Sequence, residues 1–144
     1  MSVLWFDGLL AQIQDAGVYF LPEADIDELV EAAAVNRFAC LRIDLQGCLD
    51  KAELLRRLAA ALHFPAHFGA NWDALADALG ELRRGDVPGF VLLIERSAAM
   101  RRAARDDFKT AMEVLQAACR DWAERKTPFW CFIALPEAEF DALD

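Results

Sequence analysis

Three carboxylates recur every four residues along one stretch of the chain: Asp73, Asp77 and Glu81. On a helix, residues four apart share a face, so these three would form a single acidic stripe. No Lys or Arg interrupts it between residues 66 and 82. Like charges at i and i+4 weaken a helix by about 0.2–0.5 kcal/mol per pair. Asp73, in the first turn, regains something from the helix dipole; Asp77, in the middle, gains much less. A face selected for stability alone would mix Glu with Lys. The stripe is therefore either a solvated acidic face or a surface that recognises a cationic site. In the second case two chemistries are open. Asp73 and Asp77 could together hold Mg²⁺ in a small hydrolase, since hard cations take carboxylate and water oxygens. The carboxylates could instead pair with the cations of another protein.

Other chemistry is thinly represented. No HExxH, P-loop, GxSxG or GxGxxG pattern occurs, and no nucleophile has a recognisable signature around it. His63 and His67 are four apart, but Pro65 between them opposes a helical metal pair. The pattern predicts no enzyme, no metal and no cofactor. Cys40, Cys48, Cys119 and Cys131 include no C-x-x-C pair, and Cys119 and Cys131 fall in apolar runs, so buried inert thiols are expected there.

The elements that must position the acidic stripe follow from periodicity. Residues 17–21 form a short β-rich run, and residues 25–35 a helix with Ile26, Leu29, Val30, Ala33 and Ala34 on one face and Asp25 as its cap. Residues 39–45 alternate as a half-buried strand, and Asp50 with Glu53 opens a second helix reaching about residue 62. After a loop over residues 63–70, Asn71 caps a third helix to about residue 84, with Trp72, Leu75, Leu79 and Leu82 facing inward. Residues 89–95 form a nearly continuous apolar run, and residues 129–135 are apolar throughout. A long helix lies between them over about residues 105–125, with Phe108, Met112, Leu115, Cys119 and Trp122 as its core stripe. Strands apolar on both faces and separated by helices imply a parallel sheet with crossover helices, here an α/β fold of three to four strands in one domain.

Composition narrows the partner. The 144 residues carry 24 acidic and 15 basic side chains, a net charge of −9. That sign argues against a nucleic-acid surface and against an anionic membrane, and suits rapid encounter with a basic protein. No apolar run approaches the length of a membrane span, and the first ten residues hold Asp7 and no basic residue, unlike a secretory signal. A cytoplasmic protein, monomeric when free, is expected.

One segment carries more. Pro65, Phe68, Gly69, Asn71, Asp73, Ala74, Leu75, Asp77, Ala78 and Leu79 spell P-x-x-[aromatic]-G-x-N-x-D-A-L-x-D-A-L. This resembles the hallmark of the barstar family, intracellular inhibitors of a secreted bacterial ribonuclease, and the likeness extends over about residues 37–135. The resemblance implies a barstar-like domain over residues 37–136. Residues 1–36 would be an extension with an extra strand–helix unit, expected to be removable at some cost in stability, and residues 137–144 an acidic tail. It further implies a basic ribonuclease or nuclease toxin as partner, bound through the loop before the motif helix, that helix, and an acid near the end of the long helix. By position, Asp77 matches the aspartate that enters the nuclease's phosphate site, Asp73 its neighbour, Asp121 the further acid, and Gly69 the loop glycine against the enzyme. Glu81 extends the acidic side. His67 stands where the family has a contact tyrosine, Ala76 replaces an interface tryptophan, and Leu82 falls where a second tryptophan would be. An adaptor for a different basic protein remains the alternative, with the Mg²⁺ hydrolase behind it.

Overall fold

The two continuously apolar runs become the central strands of the structure, a computed structural model that describes residues 3–66, 68–82 and 85–142. β1 (Val18–Pro22), β2 (Ala39–Asp44), β3 (Phe90–Glu95) and β4 (Phe129–Leu135) form one sheet in the order β1-β4-β3-β2, with every pairing parallel. Strand alternation gives β3 and β4 two apolar faces. Phe90, Leu92, Ile94, Phe129, Cys131 and Ile133 point into the larger core, while Val91, Leu93, Trp130, Phe132 and Ala134 point into a second one. Each face needs a cover of helices. α3 (Lys51–Ala61), α4 (Trp72–Gly80) and α6 (Arg105–Glu124) supply it on the first face. α1 (Val3–Leu10) and α2 (Ile26–Val35) supply it on the other.

The second face corrects one expectation. Residues 1–36 contribute Phe6, Leu10, Leu21, Leu29, Ala32 and Ala33 to the core that seals Trp130 and Phe132. Burying one large apolar side chain stabilises by about 1.5–3 kcal/mol, and several would be lost or bared together. Deletion of residues 1–36 is therefore expected to unfold the chain, seen as loss of a cooperative thermal transition by circular dichroism. The unit covers the second face of the sheet, although its strand occupies an edge.

Smaller differences have local causes. α2 buries Ala32 and leaves Ala34 exposed, and Asp25 does not cap it: at φ −97° and ψ 2° its side chain makes no cap bond, and a 3₁₀ turn over Glu23–Asp25 leads in instead. Two further short helices, α5 (Ala98–Ala103) and α7 (Glu137–Asp141), carry too little periodicity to be predicted. α7 lies in the expected acidic tail; Glu139 accepts a 2.8 Å bond from Arg101 and Phe140 packs on the larger core. At the start of β3, a Cβ on Gly89 would stand 2.8 Å from the Pro128 ring and carbonyl, so only glycine fits that approach.

The thiols lie as the runs suggest. Cys48, Cys119 and Cys131 are buried and Cys40 half-buried. Burial pushes the Cys119 thiol up to about 12 and Cys131 well above the usual thiol range. A thiolate is the reactive form. Alkylation of the native protein at pH 8 should thus label Cys40 first, with Cys119 and Cys131 reacting only after denaturant is added, as mass spectrometry of the peptides would show.

Candidate functional site

α4 is held at both ends by side chains. At its start Asn71 is extended (φ −137°, ψ 173°), and its Oδ1 accepts from the Ala74 N–H at 2.8 Å, satisfying one of the donors a helix N-terminus leaves over. The preceding loop is pinned by a Phe68 N–H to Pro65 carbonyl bond of 3.0 Å and by the Phe64 and Phe68 rings, whose centroids lie 5.1 Å apart. Trp72 is half-buried against the larger core, with the Lys51 ammonium 5.1 Å over its ring.

The left-handed residues of this loop, among those described, are His63 (φ 57°) and Ala70 (φ 50°), not Gly69. A Cβ at Gly69 would make only ordinary contact, 3.5 Å from the Ala74 methyl and from Asn71. The fold itself does not demand glycine there.

At its other end α4 stops at Gly80, short of the expected residue 84, because α6 takes over its carbonyls. The Trp122 indole N–H donates to the Leu79 carbonyl at 2.9 Å, and Arg125 Nη1 donates to the Gly80 carbonyl at 3.0 Å. Arg125 also lies 3.7 Å over the Trp122 ring and donates through Nη2 to Asp121 Oδ2 at 2.6 Å. Glu81 is consequently at the C-cap (φ −108°) and not on a helical turn, so the acidic stripe is Asp73 and Asp77, with Glu81 beyond it.

Asp73, Ala76 and Asp77 are exposed, and among the described residues Asp73 and Asp77 have no hydrogen-bond or ion-pair partner at their carboxylates. Asp121 is exposed but already paired with Arg125, in a surface ion pair of the kind that contributes about 0.2–1 kcal/mol. α4 stands as a ridge between two clefts. Gly69, Asp77 and Glu81 border a groove of about 940 Å³ on the β2 side; Ala76 and Asp121 border one of about 420 Å³ on the α6 side. The sequence-predicted residues thus gather around one helix, with His67 outside the described residues. Sequence reasoning assigned Trp122 only to the core; the task it shares with Arg125, closing α4, depends on contacts 43 and 45 residues apart. Among the described residues no group of three or more His, Cys, Asp or Glu side chains is placed to hold a metal ion. No described helix is long and apolar enough to cross a membrane.

These features define a four-stranded parallel α/β domain that displays an acidic, doubly capped helix. The chain belongs to the barstar family: the family model described as Barstar (barnase inhibitor) matches residues 38–134, about two-thirds of it. No curated protein sequence matches it significantly. Among solved structures, the chain is similar to a chain of Drosophila ORC bound to DNA, with a TM-score of 0.57 and 11% identity over 95% of this chain and 37% of that one. It is also similar to the Aeropyrum pernix ORC2 protein in its ADPNP–ADP complexes, with a TM-score of 0.60 and 13% identity over 95% of this chain and 41% of that one. The chain spans only about two-fifths of the length of these two, and at such identity the likeness concerns the fold alone.

Proposed function

We propose that the protein inhibits a basic ribonuclease by seating α4 in the enzyme's active site, with carboxylates standing in for RNA phosphates. The observation that carries this reading is Asp77: exposed, unpaired among the described residues, and central on a helix whose ends are both fixed. Ribonuclease sites gather cations to hold a polyanion and its transition state. A carboxylate presented rigidly loses little freedom on meeting them. Asp73 and Gly69 lie beside it, and Asp121 contributes from the far side of Ala76, its Arg125 partner releasing or sharing it. Inhibition is competitive and non-covalent.

Membership in a family described as barnase inhibitors supports this reading over an enzyme. Nucleotide chemistry of the kind in the ORC2 complexes has no foothold after β1: the strand-to-helix turn reads Pro22, Glu23, Ala24, Asp25, with two carboxylates and neither glycine nor lysine to cradle phosphate. An adaptor would use the same face; what separates it is the partner. The direct test is co-purification from a lysate of the producing cells followed by a ribonuclease assay on the eluted partner. A ribonuclease silent in the complex and active when freed supports inhibition, whereas a partner without ribonuclease activity sinks it.

The charge logic also predicts kinetics. Exposed charges are screened beyond about 8 Å at physiological salt. The association rate with the ribonuclease should fall as NaCl rises while dissociation changes less, measured by stopped flow. A flat association rate would count against electrostatic recognition.

A further inference from the structure

β1 forms the sheet edge opposite β2 and pairs with β4 alone. Edges are usually blunted with charged side chains or covered, because their unpaired N–H and C=O groups accept another strand. β1 has no charge over Val18–Pro22, and it presents Tyr19 and Phe20, which are 42% and 46% exposed. The register with β4 turns the backbone groups of Tyr19 and Leu21 inward and those of Val18 and Phe20 outward. Gln116 Oε1 takes the Val18 N–H at 2.9 Å, and Pro22 has no N–H to offer. The edge thus presents the Val18 and Phe20 carbonyls and the Phe20 N–H, which has no partner among the described residues. Tyr19 is fixed beside them: its hydroxyl donates to the Asp15 carbonyl, and its ring lies 5.8 Å from that of Trp130.

Charge selects the strand that would pair there. Residues 1–36 hold seven Asp and Glu and residues 127–144 hold four, with no Lys, Arg or His in either segment. Residues 37–126 carry all 15 Lys and Arg against 13 acids, so the chain's net negative charge lies in the two segments that build β1 and its surroundings. Exposed Asp15 and Glu23 flank the strand, and exposed Glu137 and Asp141 stand on α7, which packs against it. The cations that reach toward these acids, Arg96 and Arg101, are themselves paired with Asp44 and Glu139. Two copies of β1 laid antiparallel would set Asp15 of one against Glu23 of the other, which opposes self-pairing. We propose that β1 is a second docking site, which takes an extended segment of a partner protein as a fifth strand, apolar at its centre and bearing Lys or Arg on both sides. Backbone bonds to Phe20 supply the pairing, the two aromatic rings the apolar contact, and the flanking carboxylates the preference for a basic segment. This site does not depend on the inhibitory reading of α4.

The test titrates the protein with an acetylated and amidated peptide of alternating Val and Thr that carries two Lys at each end. Saturable binding to wild type is expected, unchanged in Asp77→Ala and at least tenfold weaker in Phe20→Lys, with the melting temperature essentially kept. A peptide of the same charge, with Gly and Ser in place of Val and Thr, should bind at least tenfold more weakly. Equal binding of the two peptides reduces the contact to bulk charge and overturns the proposal. Binding lost in Asp77→Ala and kept in Phe20→Lys places the peptide on α4 and overturns it too, as does no saturable binding up to about 1 mM peptide. A free protein that sediments as a dimer, and as a monomer in Phe20→Lys, makes the edge a self-interface, which also contradicts the proposal. If Phe20→Lys fails to fold, hydrogen exchange of the wild-type protein decides. Slowed exchange of the Phe20 amide on adding the Val–Thr peptide supports strand addition; unchanged exchange there refutes it.

Discussion

Replacing Asp77 with alanine is expected to weaken ribonuclease binding roughly thirtyfold to several-thousandfold while the melting temperature stays level or rises slightly. The two halves of that result have separate causes. In the free protein Asp77 is exposed and, among the described residues, its carboxylate makes no hydrogen bond or ion pair, so the fold loses nothing by its removal. Its repulsion with Asp73, about 0.2–0.5 kcal/mol, is relieved, and alanine is the better helix former. In the complex the carboxylate is desolvated among enzyme cations, which its loss would leave buried and unpaired. Truncating one partner of such a pair typically costs about 2–5 kcal/mol or more, a range for which barnase–barstar pairs are themselves a source. Asp77→Asn keeps the size and removes the charge, and should lose most of the same affinity. Calorimetric dissociation constants and melting temperatures for both variants check this; retained affinity would reduce Asp77 to a solvated surface residue.

Trp122→Ala should give the reverse pattern, with stability as the main loss. The indole is buried against Phe90, with ring centroids 5.5 Å apart, and its N–H closes α4 through the Leu79 carbonyl. Emptying a buried tryptophan site costs about 3–5 kcal/mol, to which the orphaned carbonyl adds. At roughly 2–4 °C per kcal/mol for a chain of this size, the melting temperature should fall by about 10 °C or more. Trp122→Phe keeps most of the packing but leaves the carbonyl without its donor, so about 1–3 kcal/mol is expected. If Trp122→Phe melted with wild type, the bond between α6 and the end of α4 would contribute nothing, and α4 would need another explanation for stopping at Gly80.

What was legible in the sequence divides along the range of the interactions involved. β2, β3 and β4 follow from local alternation and continuous apolar runs, and β4 has the predicted bounds. α3 and the start of α4 follow from caps written within three residues, Asp50 to Glu53 and Asn71 to Ala74. The end of α4 was not legible, because its carbonyls are taken by Trp122 and Arg125 from another helix. Glu81 left the acidic stripe for the same reason. The left-handed loop residues, His63 and Ala70, carry no signal in the sequence, because glycine is the usual choice for that conformation. Residues 1–36 read as an appendage since their strand is short; only the sheet order shows how α1 and α2 cover its second face. Around the site, the carboxylates were visible as a pattern, whereas the groove beside them is built from three separated segments and has no local signal. Ala74 and Ala78 were its one trace, small residues one turn apart on the motif helix.

The central claim is that α4 occupies a ribonuclease active site, and one measurement addresses it most directly. Steady-state hydrolysis of an RNA substrate by barnase should be followed with increasing amounts of the protein, at several substrate concentrations. The account predicts inhibition that saturates at one protein per enzyme and is relieved by substrate, with KM raised and kcat unchanged. Unaltered hydrolysis in the presence of excess protein, or inhibition that substrate cannot relieve, would contradict it.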